Sequence, residues 1–331
     1  MTNISMTDIS MTNIVTISSK ELLDLRRDPL LGILVGFLSF AVVISVVIGA
    51  ADFKVQLDAY TLYVHQLASA GSSVVPAAPQ LFPLQLLRGG MEYIEILGAL
   101  FAVVLGYGTI AKEKYRGTLD LLLTRPLGRF SLVGGKLLGL SVVWLLVVAF
   151  LTVVSTGAIA TVGGAALNSH DLIRILIASA AAWVYLVFWS ALSVGVTVLA
   201  RQLSTGLIVG LVIWLVVVLI MPQIGDTMDP DNQVPGGLFA SLQIKKVDEL
   251  TVMAHFAGFD AIRNGIEVAS IEKHFERLAF GFLGIKAQYN QQPLSYIWAD
   301  LFPYAITLAV ASVASVFFAM VSTTRRTLQR K

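Results

Sequence analysis

The sequence predicts an all-α integral membrane protein with six transmembrane helices. Three observations lead there. Of the 331 residues, 56% are hydrophobic and only 13% are charged, whereas soluble domains carry about 25% charged residues. Mean hydropathy is +0.79, and the charges are clumped, which leaves long apolar stretches suited to lipid rather than to a water-soluble core. Six of those stretches reach or approach the roughly 20 residues a helix needs to cross a bilayer core about 30 Å thick.

The remaining composition narrows the function classes. A net charge of +2 leaves no nucleic-acid footprint. The absence of cysteine excludes disulfides, thiolate metal sites and a cysteine nucleophile.

Taken in order, residues 1–18 repeat a five-residue unit (Met1-Thr-Asn-Ile-Ser, Met6-Thr-Asp-Ile-Ser, Met11-Thr-Asn-Ile), and such polar low complexity predicts a disordered tail. Residues 19–30 carry Leu22, Leu23, Leu25 and Leu30 beside Arg26 and Arg27. Residues 30–51 contain no charge and predict span one at about 31–51. That run exceeds the roughly 7–15 residues of a signal-peptide core, so the span is retained.

In the 52–90 segment, Leu57, Tyr60, Val64 and Leu67 continue the first helix at helical spacing. Pro76, Pro79 and Pro83 then precede a short apolar run, 84–87. Span two covers about 91–111, with Glu92 and Glu95 at its entry as solvated boundary carboxylates. Span three covers about 135–162 and ends near Gly157, Gly163 and Gly164. Spans four (about 173–200) and five (about 203–222) are parted by Arg201, and span six covers about 300–322. No span carries an ionisable group at its centre, which disfavours a proton-coupled pump or an ion channel.

Charge orients the bundle. Lys20, Arg26, Arg27, Lys112, Lys114, Arg116, Arg125, Arg129, Lys136, Arg201, Arg325, Arg326, Arg330 and Lys331 flank one side, fourteen against Lys54, Arg88 and Arg174 in the short segments on the other; the remaining six lie between spans five and six, in a segment too long for the rule to count. Positive residues mark the cytoplasmic side, so both termini are expected in the cytoplasm of a multi-pass plasma-membrane protein. The 52–90 and 223–299 segments are then external. In the second, Phe259, Ile262 and Ile266, then Ile271, Phe275, Leu278 and Phe282, follow helical spacing and predict a helical cap. A docking surface for an extracytoplasmic partner on 223–299, or a helix lying on the lipid, are the alternatives.

The loop at 112–131 carries the most information. Gly117 can take the positive φ of a helix C-cap. Thr118 can N-cap a short helix bearing Leu119, Leu121, Leu122 and Leu123, which Pro126 and Gly128 stop within two turns. Arg129 and Lys136 resume the chain at the lipid boundary. A leucine-rich helix held in water needs a cover.

Glu113, Gly117-Thr118-Leu119, Leu122-Leu123, Pro126, Arg129 and Gly135-Lys136 together resemble the cytoplasmic signature of ABC-2-type transporter permeases. The nearest pattern is the branch that includes the permease of the copper-site maturation system of nitrous oxide reductase. The resemblance implies a type V exporter-like fold in which residues 31–331 form the transmembrane domain and 19–30 an amphipathic connecting helix, with Glu21, Leu22, Leu25 and Arg26 as its working residues. It also implies that the 112–131 loop holds a coupling helix seated in a cleft of a separate cytoplasmic ATPase. Leu119, Leu122 and Leu123 would be the apolar contacts there, Glu113 and Arg116 the polar ones, and Gly117 and Pro126 the helix ends. Two permeases would pair as a homodimer in membrane lipid, and export is the family's usual direction.

No phosphate loop is present: Gly134-Gly135-Lys136 is followed by Leu137, and Phe130 stands where a glycine is required. ATP and Mg are therefore expected on the partner subunit, and this chain is expected to hold no cofactor, metal or catalytic residue. His65, His170, His255 and His274 show no metal-ligand spacing, and no nucleophile-elbow or zinc-protease motif occurs. Glycine pairs four apart, Gly32/Gly36, Gly135/Gly139 and Gly206/Gly210, allow close helix approach within or between subunits. The alternative function is a six-span scaffold that anchors an extracytoplasmic complex without ATP coupling.

Overall fold

The computed structural model describes residues 6–70, 82–115, 117, 131–161, 167–228, 238–244, 246–255 and 257–323. Among these no strand occurs. The helices are α1 (Met6–Arg26), α2 (Pro29–Ser69), α3 (Pro83–Tyr115), α4 (Ser131–Thr161), α5 (Ser169–Leu199) and α6 (Leu203–Gly225, helical onward to Met228). They continue with α7 (Leu238–Ser241), α8 (Lys246–Ala254), α9 (Ala257–Ala269), α10 (Ile271–Phe282) and α11 (Leu294–Ser322). Helices α2, α3, α4, α5, α6 and α11 are long and apolar enough to cross a membrane, six as the sequence predicts, and each overlaps one of the predicted stretches.

Two elements depart from the sequence expectation. Of the expected tail at 1–18, residues 1–5 lie outside the described residues and the rest is helical, running into the expected amphipathic helix as one helix, Met6–Arg26, that breaks at Arg27-Asp28. It has a partner that local sequence does not reveal. Ile14, Ile17, Ser18, Glu21 and Leu25 share one face, and that face lies along α4. A Cβ at Gly135 would stand 2.7 Å from Ile17 Cβ and 3.0 Å from the Ile14 carbonyl, and one at Gly139 would stand 2.9 Å from Glu21 Cβ. Of the three glycine pairs, Gly135/Gly139 therefore serves packing within the chain. Gly206 likewise receives Thr197, while Gly32 and Gly36 have nothing within 4 Å.

The second departure is at α3. The short apolar run at 84–87 does not precede span two but opens it as a 3₁₀ turn, with Leu84, Leu86 and Leu87 buried. A π turn follows at Ile94–Gly98. Helix α2 continues past the bilayer as expected. Its 41 residues extend about 60 Å, twice the hydrocarbon thickness.

Helix α5 is the hub, packing on α3, α4, α10 and α11. Its small residues let neighbours close in: a Cβ at Gly106 of α3 would meet the Ser190 carbonyl at 2.5 Å, and one at Gly195 would meet the Phe318 ring at 2.5 Å. Several buried polar groups settle on backbone carbonyls or on each other, which a lipid surround favours. Trp144 Nε1 donates to Ser190 Oγ at 2.7 Å, Ser193 Oγ to Val103 O at 2.6 Å, and Tyr185 OH to Glu95 O at 2.9 Å. The most apolar window of α3 is 61% buried, against 22% for α6 and α11, so α3 is inner wall and the other two are lipid-facing periphery.

Candidate functional site

At the end of the bundle where Met320 lies against Gly134, α1, α3 and α4 meet around one buried cation. Lys136 is 1% exposed. Its Nζ reaches Glu21 Oε2 of α1 at 3.1 Å, Glu113 Oε1 of α3 at 3.0 Å and the Thr109 carbonyl at 2.9 Å. Glu21 and Glu113 are 5% and 6% exposed. Lys20, half in solvent, adds a bond to Glu113 Oε1 at 3.1 Å. The two lysines balance the two buried carboxylates, which is the condition under which buried charge is tolerated, and partly exposed Asp24 lies 3.8 Å from Lys20 outside that core.

A second tie sits beside it. Asp28 N-caps α2 by accepting from the Leu30 amide at 3.0 Å, with Pro29 at the first helical position. Lys112 Nζ donates to the same carboxylate. Burial raises the Asp28 pKa, but the Lys112 and Leu30 bonds outweigh it and leave the carboxyl below its ordinary value. Burial lowers the Lys20 pKa, and the Glu113 hydrogen bond and charge override this and leave it raised.

The two ties bracket one loop. Lys112 and Glu113 lie just before it and Lys136 just after it. Helix α3 ends at Tyr115, and Gly117 is exposed with φ of +64°. Of the sequence-predicted coupling residues, Arg116, Thr118, Leu119, Leu122, Leu123, Pro126 and Arg129 lie outside the described residues.

Glu113 differs from expectation. A carboxylate awaiting the ATPase would be exposed, yet it points inward onto Lys136, because α1 and α4 bring two lysines to it. On α1, Glu21 and Leu25 are buried against the chain itself, Leu22 is half-buried and Arg26 is exposed. Lys20, Lys112, Asp28 and Lys136 were not expected as site residues. A lysine entering an apolar run reads as a boundary anchor, and nothing local tells that it is enclosed.

The opposite end holds a second charged group. Carboxylate oxygens of Glu95, Glu272 and Glu276 lie within 4.8 Å of one another. Glu95 is 7% exposed, not the solvated boundary carboxylate expected, because α10 folds back over the start of α3. Glu276 is held by Lys273 at 2.6 Å and Lys286 at 3.4 Å. Burial raises its pKa, but the two lysines outweigh burial and leave the carboxyl below its usual range. Burial is also the main influence on Glu272 and leaves its carboxyl raised. His274 is buried, with Nδ1 3.0 Å from the Ser270 carbonyl.

Fold and site together define a six-span helical membrane protein whose terminal helix is locked by ion pairs to both ends of one loop. The chain belongs to the ABC-2 family: the sequence model for "ABC-2 family transporter protein" matches residues 15–325. It is thus a multi-pass membrane component of a transporter, in a family whose permeases work with a cytoplasmic ATPase partner. No curated protein matches the chain.

Proposed function

We propose that this chain is the permease subunit of an ATP-driven ABC exporter. It pairs as a homodimer in the plasma membrane, with both termini in the cytoplasm, and couples to a separate ATPase through the 116–130 loop. The observation that carries this reading is the buried Lys136 cluster. A loop that receives force must be anchored at both ends, or its motion dissipates locally. Here Glu113 and Lys136, on the two sides of the loop, contact each other and both contact α1. Displacement of the loop then moves α3, α4 and α1 as one block, and α3 and α4 both pack on α5.

In this reading Glu113 and Glu21 are positioning residues rather than ATPase contacts. Arg116 and the leucines at 119, 122 and 123 remain proposed as the groups that touch the ATPase. Gly32 and Gly36, open to the surface beside exposed Ile33, Phe37 and Phe40, support close approach of a second copy through α2. The likeness to the nitrous-oxide-reductase maturation branch belongs to the same proposal.

The test is affinity purification of the tagged chain in mild detergent. A stoichiometric subunit with its own phosphate loop should co-purify and be lost with Leu122→Asp. Purification of the chain alone in several detergents would sink the reading.

A further inference from the structure

Helix α9 is built inside out for a helix in water. Its less exposed side carries the charges: Glu267 pairs with Arg277 of α10 at 3.0 Å and Arg263 pairs along the helix with Asp260 at 3.0 Å, while exposed Asn264 Oδ1 accepts from Arg277 at 3.0 Å. Glu267 also lies against Gly225 at the end of α6, where a Cβ would stand 2.7 Å from Glu267 Cγ. Ile262, 59% exposed, lies away from these charges beside Gly258, Gly265 and Ala269, and Phe259, 47% exposed, borders that face one turn before Arg263. A helix on a water-facing surface orients the other way, with apolar residues in and charges out. The medium against this face is therefore apolar.

Two observations choose the medium. The face continues an apolar surface already assigned to lipid: Ile220 and Ile224, at the end of α6 on which α9 packs, are each 42% exposed. The face is also small. Thirteen residues make a helix about 20 Å long and 10 Å wide, about 200 Å², where a stable protein contact covers about 800 Å² per partner.

We infer that α9 lies in the lipid–water boundary on the side opposite the termini, with Phe259 and Ile262 in the acyl region and its charges on the less exposed side. It would thereby fix the depth of the charged α10 relative to the bilayer. This inference does not depend on ATPase coupling.

The native chain has no cysteine, so Ile262→Cys and Phe259→Cys can each be spin-labelled alone in the full-length protein in phosphatidylcholine nanodiscs. Both labels should collide more often with oxygen, which partitions into lipid, than with a neutral nickel chelate, which stays in water. Preferential nickel collision would mean a water-exposed face and would overturn the inference. Low collision with both would mean a face covered by protein, a second copy or a partner, and would equally overturn it. A check free of labels is Phe259→Trp: brominated phosphatidylcholine should quench the added fluorescence, and unchanged fluorescence would count against lipid contact.

Discussion

Lys136→Met is the most informative single change at the loop anchor. It preserves the length and apolar stem of the side chain and removes one charge. The cluster then holds Lys20 against Glu21 and Glu113, and both glutamates are at most 6% exposed. The Thr109 carbonyl also loses its donor at 2.9 Å. Removing one partner of a buried ion pair costs about 3–5 kcal/mol, because the stranded charge has no water to return to. Removing Glu21 as well, in Lys136→Met/Glu21→Gln, leaves one balanced pair, Lys20 and Glu113 at 3.1 Å. The double variant should therefore recover about 1–3 kcal/mol relative to the sum of the single changes. Reversible unfolding in mixed micelles measures all four corners of the cycle. A Lys136→Met loss below about 1 kcal/mol, or additivity within about 0.5 kcal/mol, would refute the neutral-cluster argument. It would also remove the main support for a rigid loop anchor.

Four further outcomes are expected. Gly135→Leu should force Ile17 and the Ile14 carbonyl aside, cost about 1–3 kcal/mol by overpacking, and expose α1 to limited proteolysis that the native chain resists. Glu272→Gln should flatten one limb of the stability–pH curve. A carboxyl raised in the folded state contributes stability that is full below its unfolded pKa and is lost as pH rises through the folded value. Native stability should therefore fall on going upward from the ordinary carboxylate range, and the variant's should not. Glu276→Gln should act with the opposite sign, since a lowered carboxyl contributes stability above its unfolded pKa that disappears as pH falls through the folded value. Gly32→Leu/Gly36→Leu should shift cross-linked dimer toward monomer in nanodiscs without changing the thermal unfolding of the monomer, because neither position has a neighbour within 4 Å.

The sequence by itself determined what local hydrophobicity can determine. Each of the six membrane helices appears as a long apolar run, because lipid imposes length and apolarity on every span separately and no knowledge of neighbours is needed. The continuation of α2 through Leu57, Tyr60, Val64 and Leu67, and the helical spacing of α9 and α10, were legible for the same reason.

What α1 does could not be read this way. Its repeated Thr-Asn-Ile units look disordered in isolation, yet the chain is helical from Met6, and Ile14 and Ile17 pack on the flat strip at Gly135 of α4. The same holds for charge. Glu113, Glu95 and Lys136 each sit at the end of an apolar run, where a solvated boundary residue is the natural reading. Residues 23 to 177 positions away in sequence decide otherwise: Lys136 meets Glu113 and Glu21, and Glu95 meets Glu272. Burial of a charge depends on which elements close over it. That is a property of the tertiary structure, and no window of neighbouring residues contains it.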